Sequence, residues 1–149
     1  ARDTERVLQL LAQVLRVHHE GRPDIFRANA TKYSRPELQE MFLKDEDPIF
    51  VWTDENDITQ GYCFCQTEQH VGNAVLTDIR TLYIDDLCVE ETMRGRHIGK
   101  ALYEHVLAYA KSTGCHNVTL NVWSCNPDAM CFYEKKGLVP QKIGMETIL

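Results

Sequence analysis

The stretch YIDDLCVEETMRGRHIGKALYEHVL, from Tyr83 to Leu107, changes its hydrophobic period halfway along, and this change constrains the fold more than any other feature. Its first part belongs to a predicted strand, from about Thr81 to Val89. Its second part opens a predicted helix, His97 to Lys111, with Ile98, Leu102, Val106 and Tyr109 on one face and Gly114 as its stop. The joint carries two glycines, Gly95 and Gly99, and three basic residues, Arg94, Arg96 and Lys100. Val118, Leu120 and Val122 then alternate with polar residues in a further strand. Asn126-Pro127-Asp128 starts another helix, as cap, proline and acid, and Gly137 ends it. A strand–loop–helix–strand–helix centre is a mixed α/β (α+β) arrangement.

The flanks agree with that centre. Val7, Leu8, Leu11, Val14, Leu15 and His18 keep helical spacing between Thr4 and His19, and Gly21 with Pro23 ends the run. Residues Arg22 to Ser34 form a polar connection with two aromatics, Phe26 and Tyr33. Ser34 and Pro36 open a short second helix with Leu38, Met41 and Phe42 inward. Ile49 to Trp52 and Ile58 to Gln69 read as a hairpin across Asp54-Glu55-Asn56-Asp57. The tail, Leu138 to Leu149, has room for one or two short strands broken at Gly144. No repeat or linker divides the 149 residues, so residues 1–149 are read as a single domain.

The joint at Arg94 to Lys100 has the form of an anion site. Backbone N–H groups are unpaired at a helix start, and the helix dipole favours negative charge there. Glycine lets a ligand approach the backbone closely, and the three cations add attraction. The alternative is a basic surface turn. A P-loop is excluded, because three residues, not four, separate Gly95 from Gly99, and Ala101 rather than a hydroxyl residue follows Lys100. In NVWSCNPDAMCFYEKKGL, Tyr133 lies on the capped helix just after a strand. Position alone reads it as a core aromatic, with a phenol poised to give up a proton as the functional alternative.

Charge and cysteine usage narrow the partners. A net charge of -6 argues against nucleic acid, which demands a basic surface, and is compatible with a cationic small molecule. The cysteines Cys63, Cys65, Cys88, Cys115, Cys125 and Cys131 form no CxxC pair and no zinc spacing with histidine. His18 and His19 diverge on a helix, His18 in the packed face and His19 exposed, so no metal is expected. A reducing cytoplasm, free thiols and no membrane partner are the expected setting. The first residue is Ala1, and a trimmed N-terminus lacking one strand is a further expectation.

The segment Tyr83 to Leu138 resembles the GNAT superfamily of N-acetyltransferases, which move acetyl from acetyl-CoA to an amine. The family's phosphate loop reads (Arg/Gln)-x-x-Gly-x-(Gly/Ala), and Arg94-Gly95-Arg96-His97-Ile98-Gly99 fits it except at His97, where the family has glycine. YIDDLCVEE before the loop and the N…FYEKKGL block after it stand where the family has them. The resemblance implies a mixed sheet of about six or seven strands, with about four helices on both faces and a splay at the acetyl-CoA site. The family's first strand would end near Ala1. For His97, a negative φ with the imidazole lining the phosphate site is the reading adopted, since a β-carbon disfavours the left-handed region.

The resemblance also implies the roles. Acetyl-CoA would contact Leu87, Cys88, Val89, Arg94, Gly95, Arg96, His97, Ile98, Gly99, Lys100, Asn126 and Tyr133. The Val89 N–H would stabilise the developing oxygen charge, and Tyr133 would protonate the thiolate. Asp85-Asp86 resembles the acidic pair of spermidine/spermine acetyltransferases, and Asp85 is taken as the base. Strict strand alternation would send the two carboxylates to opposite faces. Direct transfer is expected rather than a thioester on Cys88. A small-molecule primary amine on a cationic acceptor is the expected partner, and a homodimer the expected assembly. A silent acyl-CoA-binding module, a protein N-terminal or lysine acetyltransferase, and a non-enzymatic anion binder are the alternatives.

Overall fold

A computed structural model describes residues 2–149, so the expectation drawn from Ala1 lies outside the described residues. The elements run α1 (Thr4–Gly21), α2 (Arg35–Met41), β1 (Ile49–Thr53), β2 (Thr59–Gln69), β3 (Arg80–Val89), α3 (Ile98–Ser112), β4 (Asn117–Leu120) and α4 (Pro127–Lys135). A single 3-10 turn, Glu91–Met93, leads from β3 towards α3. Local chemistry explains the boundaries. Ser34 and Glu37 close a reciprocal capping box at α2, and the Asn126 side chain accepts from Ala129 N at α4.

The sheet order is β1-β2-β3-β4, antiparallel except for the β3–β4 pair. Two cores lie on its two faces. Val7, Leu10 and Leu11 of α1 and Leu38 of α2 pack on Tyr62, Phe64 and Cys88. Ile98, Leu102, Tyr103, Val106 and Ala110 of α3 pack on Cys63, Cys65, Leu82 and Ile84. Leu10, Leu38, Leu82 and Val106 are fully buried, each contributing about 1.5–3 kcal/mol relative to exposure.

Two expectations are corrected here. Among the described residues the sheet has four strands, not six or seven. The tail from Leu138 forms none of the missing strands: its apolar residues Val139, Ile143, Met145 and Ile148 stand exposed. Pro140 removes a donor and Gly144 weakens any pairing, so the tail lacks a continuous ladder. Glu146 of the tail instead ion-pairs with Arg22 just beyond α1.

A third correction concerns β3. Ile84 faces the α3 core, whereas Cys88, four residues on, faces the α1 core. Simple alternation would put both on one side. The parity breaks because Phe64 and Cys65, adjacent on β2, oppose Asp86 and Ile84, leaving Asp85 as the extra residue of a β-bulge. Asp85 and Asp86 therefore both point to the α1–α2 side, not to opposite faces.

Candidate active site

β3 pairs with β4 only from Thr81 to Ile84, opposite Asn117 to Leu120. Beyond that point β3 continues to Val89 while β4 has ended. Glu90 N donates to Gln60 O at 2.7 Å, so the preceding pair, Gly61 and Val89, is the non-hydrogen-bonded kind. The Val89 N–H consequently points away from β2, into the opening that β4 leaves. Leu87, opposite Cys63, has the same polarity. Two N–H groups thus line a splayed strand edge.

The loop after β3 ends at an uncapped helix. His97 makes no side-chain cap bond at α3, and no acid stands in the first turn. Arg94 and Arg96 are exposed and make no ion pair among the described residues, while Lys100 lies 3.7 Å from Glu104. The helix N-terminus is thus free to receive an anion. Gly95 has φ +78, a conformation that glycine adopts without strain. Gly99 has ordinary φ but little room: a β-carbon would stand 3.4 Å from Phe132 Cζ and 3.7 Å from Val89 Cγ2. The turn leading into the loop is stapled to α1, where Arg6 ion-pairs with Glu90 and Gln13 donates to both Glu90 oxygens at 3.0 Å.

His97 departs from expectation. Its φ is 62 and ψ 18, the left-handed region, not a negative φ. The turn into α3 needs a left-handed residue where the family pattern has glycine, and the loop geometry overrides the preference of the side chain. That conformation costs about 1–2 kcal/mol for a residue with a β-carbon. His97→Gly should therefore raise stability by about 1 kcal/mol, read as a higher urea midpoint. An unchanged or lower midpoint would show that no strain is held there.

Tyr133 projects from α4 with its ring against Tyr103 (6.4 Å) and Phe132 (5.1 Å). Its hydroxyl has no hydrogen-bond partner among the described residues, yet it is not a sealed-in orphan. Burial, helped by Cys63, Asp86 and Tyr103, pushes the phenol well above its usual range, so it keeps its proton at neutral pH. The Asn126 side chain, expected at the cofactor, is used as the α4 cap, 3.3 Å from Ala129 N.

The acidic pair is divided by its surroundings. Asp85 Oδ2 accepts from Lys32 Nζ at 2.7 Å and from Tyr33 Oη at 3.2 Å. Asp86 Oδ2 accepts from Tyr62 Oη at 2.9 Å. Burial pushes the Asp86 carboxyl up to about 6, against the pull of Lys32 and Tyr62. Burial would lower the Lys32 ammonium, but Asp85 and then Asp86 hold it above its ordinary value. Lys32, Tyr33 and Tyr62 escaped the sequence reading. Tyr33 stood out only as an aromatic in a polar connection, and no spacing links Lys32 to β3.

Cys88 faces the α1 core, on the same side as the acidic pair. Its thiol lies 3.7 Å from Leu10 O, and burial, then Asp86, push it up to about 12. It stays a thiol, unsuited to nucleophilic attack. His18 stacks on Phe26 at 4.9 Å, as its packed position requires. His19 is half-buried rather than exposed, its Nδ1 2.7 Å from Phe26 O, because the Arg22 to Ser34 connection folds back over the end of α1. No cluster of three metal-ligating residues occurs, and no helix is long and apolar enough to cross a membrane, among the described residues.

Comparison with known proteins gives a consistent picture. A mutant form of a Bacillus halodurans protein solved by structural genomics is 32% identical, with a TM-score of 0.95 over 99% of this chain and 94% of that one. An aminoglycoside acetyltransferase from an uncultured soil metagenomic sample, in complex with sisomicin, shares the fold at 18% identity and a TM-score of 0.70, over 99% of this chain and 91% of that one. The glucosamine 6-phosphate N-acetyltransferase of Arabidopsis thaliana is 35% identical over 63 residues, which are 42% of this chain and 40% of that enzyme. The matched stretch spans less than half the length of this curated relative. The family model described as the acetyltransferase (GNAT) family matches residues 14–138, most of the chain. An uncapped helix start beside a splayed strand edge, and a family match that runs through both, make this chain a member of the GNAT acetyltransferase family.

Proposed function

We propose that this chain is an N-acetyltransferase that moves acetyl from acetyl-CoA directly to a primary amine on a small cationic molecule. The observation that carries this reading is the uncapped α3 N-terminus, with Arg94 and Arg96 making no ion pair among the described residues, next to the strand edge that exposes the Leu87 and Val89 N–H groups. The loop from Arg94 to Lys100 suits a pyrophosphate, and the β3 edge suits an extended amide chain. The thioester supplies the activated acetyl group. The Val89 N–H stabilises negative charge on the acyl oxygen, the Asp85–Asp86 pair supplies a carboxylate for the amine proton, and the Tyr133 O–H protonates sulfur. The raised Cys88 thiol, turned to Leu10 O in the α1 core, argues for direct transfer.

Two carboxylates on one face, against the one Lys32 ammonium, leave negative charge that favours a cationic acceptor. The named relatives act on glucosamine 6-phosphate and aminoglycosides, which supports an amine as the acceptor class. A panel of polyamines, aminoglycosides, glucosamine 6-phosphate and peptide amines, read by thiol released from acetyl-CoA, tests this. Polyamines should give the lowest KM. That KM should rise with salt, because a second cationic centre is screened beyond about 8 Å at physiological ionic strength. A preference for glucosamine 6-phosphate over the polycations would overturn the cationic reading.

A further inference from the structure

We propose that Asp86, rather than Asp85, is the catalytic residue that takes the proton from the acceptor amine, with Asp85 kept from that role by Lys32. This rests on the acetyltransferase reading and names the base within it. The bulge puts both carboxylates on one face, so orientation alone no longer selects between them. Their partners do. One Asp85 oxygen is engaged twice, by the Lys32 ammonium at 2.7 Å and the Tyr33 hydroxyl at 3.2 Å. An oxygen already held by an ion pair and a second donor is less available to a substrate proton. Asp86 has neutral donors, the Tyr62 hydroxyl and the Leu87 backbone N–H, and is half-buried.

Position along β3 agrees. Asp86 immediately precedes Leu87, whose N–H faces the opening left by β4, and it is close enough to Tyr133 to act on that phenol. Of the pair, Asp86 is thus the one next to the splayed edge, and its charge acts on the proposed acid. The groups around it are Lys32 and Tyr33 from the connection, Tyr62 and Cys63 from β2, Asp85 and Cys88 from β3, and Tyr133 from α4; α1 presents apolar Leu10 and Leu11. Lys32 is the single cation among them. Two adjacent acids, one tied into an ion pair and the other held by neutral donors, form a division of labour suited to acid–base work. The proton balance is simple. The ammonium loses one proton to Asp86 and its nitrogen forms a bond to the acyl carbon; as the carbon–sulfur bond breaks, sulfur takes the Tyr133 proton, the nitrogen gives up its second proton to restore that phenol, and Asp86 releases its own to solvent.

The experiment compares wild type, Asp85→Asn and Asp86→Asn with the fastest acceptor from the amine panel. In wild type, kcat/KM should fall with unit slope below pH about 6, as Asp86 becomes protonated. Asp86→Asn should lower kcat by about 10²–10⁴-fold and abolish that limb, with acetyl-CoA affinity by calorimetry unchanged. Asp85→Asn should cost less than about tenfold and keep the limb. Stability supplies a separate readout. The raised value means that the folded state favours the protonated acid, an advantage present below the unfolded value near 3.9 and lost as pH rises through about 6. Asp86→Asn, which can still accept from Tyr62, should therefore raise the melting temperature at pH 8 and change it little at pH 4. A larger kinetic loss in Asp85→Asn, or an acid limb that survives in Asp86→Asn, overturns the assignment while leaving the acetyltransferase standing. Absence of thiol release with every amine overturns both.

Discussion

Tyr133→Phe should remove most turnover and leave acetyl-CoA binding intact. The ring is held edge-on by Tyr103 and Phe132, and these contacts survive loss of the hydroxyl. The hydroxyl has no partner among the described residues, so its removal leaves no donor or acceptor stranded. Stability should accordingly stay within about 0.5 kcal/mol of wild type. General-acid catalysis contributes about 10²–10⁴-fold. Burial raises the phenol well above its usual range, which guarantees the proton but weakens its drive towards sulfur, so a loss near the lower end, about 10²-fold, is expected. The loss should be seen in kcat at saturating acetyl-CoA. A thiol has a pKa of about 8.5, so some thiolate leaves unaided and residual activity persists. Wild-type turnover in the Phe variant would return Tyr133 to the role of core packing.

Gly99→Val should cost acetyl-CoA affinity more than any other loop substitution. The first turn of α3 lies under Phe132 of α4 and Val89 of β3, and a β-carbon at Gly99 would already touch the Phe132 ring at 3.4 Å. One methyl fits that space as an ordinary contact; two more branches at the β-carbon do not. The overpacked turn must tilt, at a cost of about 1–3 kcal/mol, and the N–H groups of Ile98 to Lys100 tilt with it. An anion held by several such groups should lose at least about tenfold in Kd, or 1.4 kcal/mol. Gly99→Ala is the matched control and should bind within about threefold of wild type. Circular dichroism separates misfolding from a local loss. Unchanged Kd in a folded Val variant would remove the phosphate site from this loop.

Much of the fold was legible because its signals are local. A helix is written in spacings of three and four, as in Ile98, Leu102 and Val106, and its ends in side chains that bond their own backbone, as at Ser34 and Asn126. The strand–loop–helix joint was legible for the same reason, since strand, glycines and helix start are consecutive. The tail was misread because a strand needs an edge to pair with, and no residue within Leu138 to Leu149 reveals whether one is within reach. His97 was misread because a side chain states a preference while the loop imposes a φ of 62.

The acidic pair marks the boundary between the two kinds of information. The residues alone specify that two carboxylates stand at the end of a strand, just before a basic, glycine-bearing loop, and that a capped helix carries a tyrosine after it. Only the tertiary structure decided what those carboxylates are. The register of β3 against β2 is a property of two strands, and the bulge at Asp85 changes which face a side chain meets without altering a residue. Lys32 lies 53 residues from Asp85 in sequence, yet it ion-pairs with that carboxylate, while burial pushes the neighbouring Asp86 up to about 6. Proton affinity follows from desolvation and from nearby charge, and both are set by which distant residues the fold brings within a few ångströms.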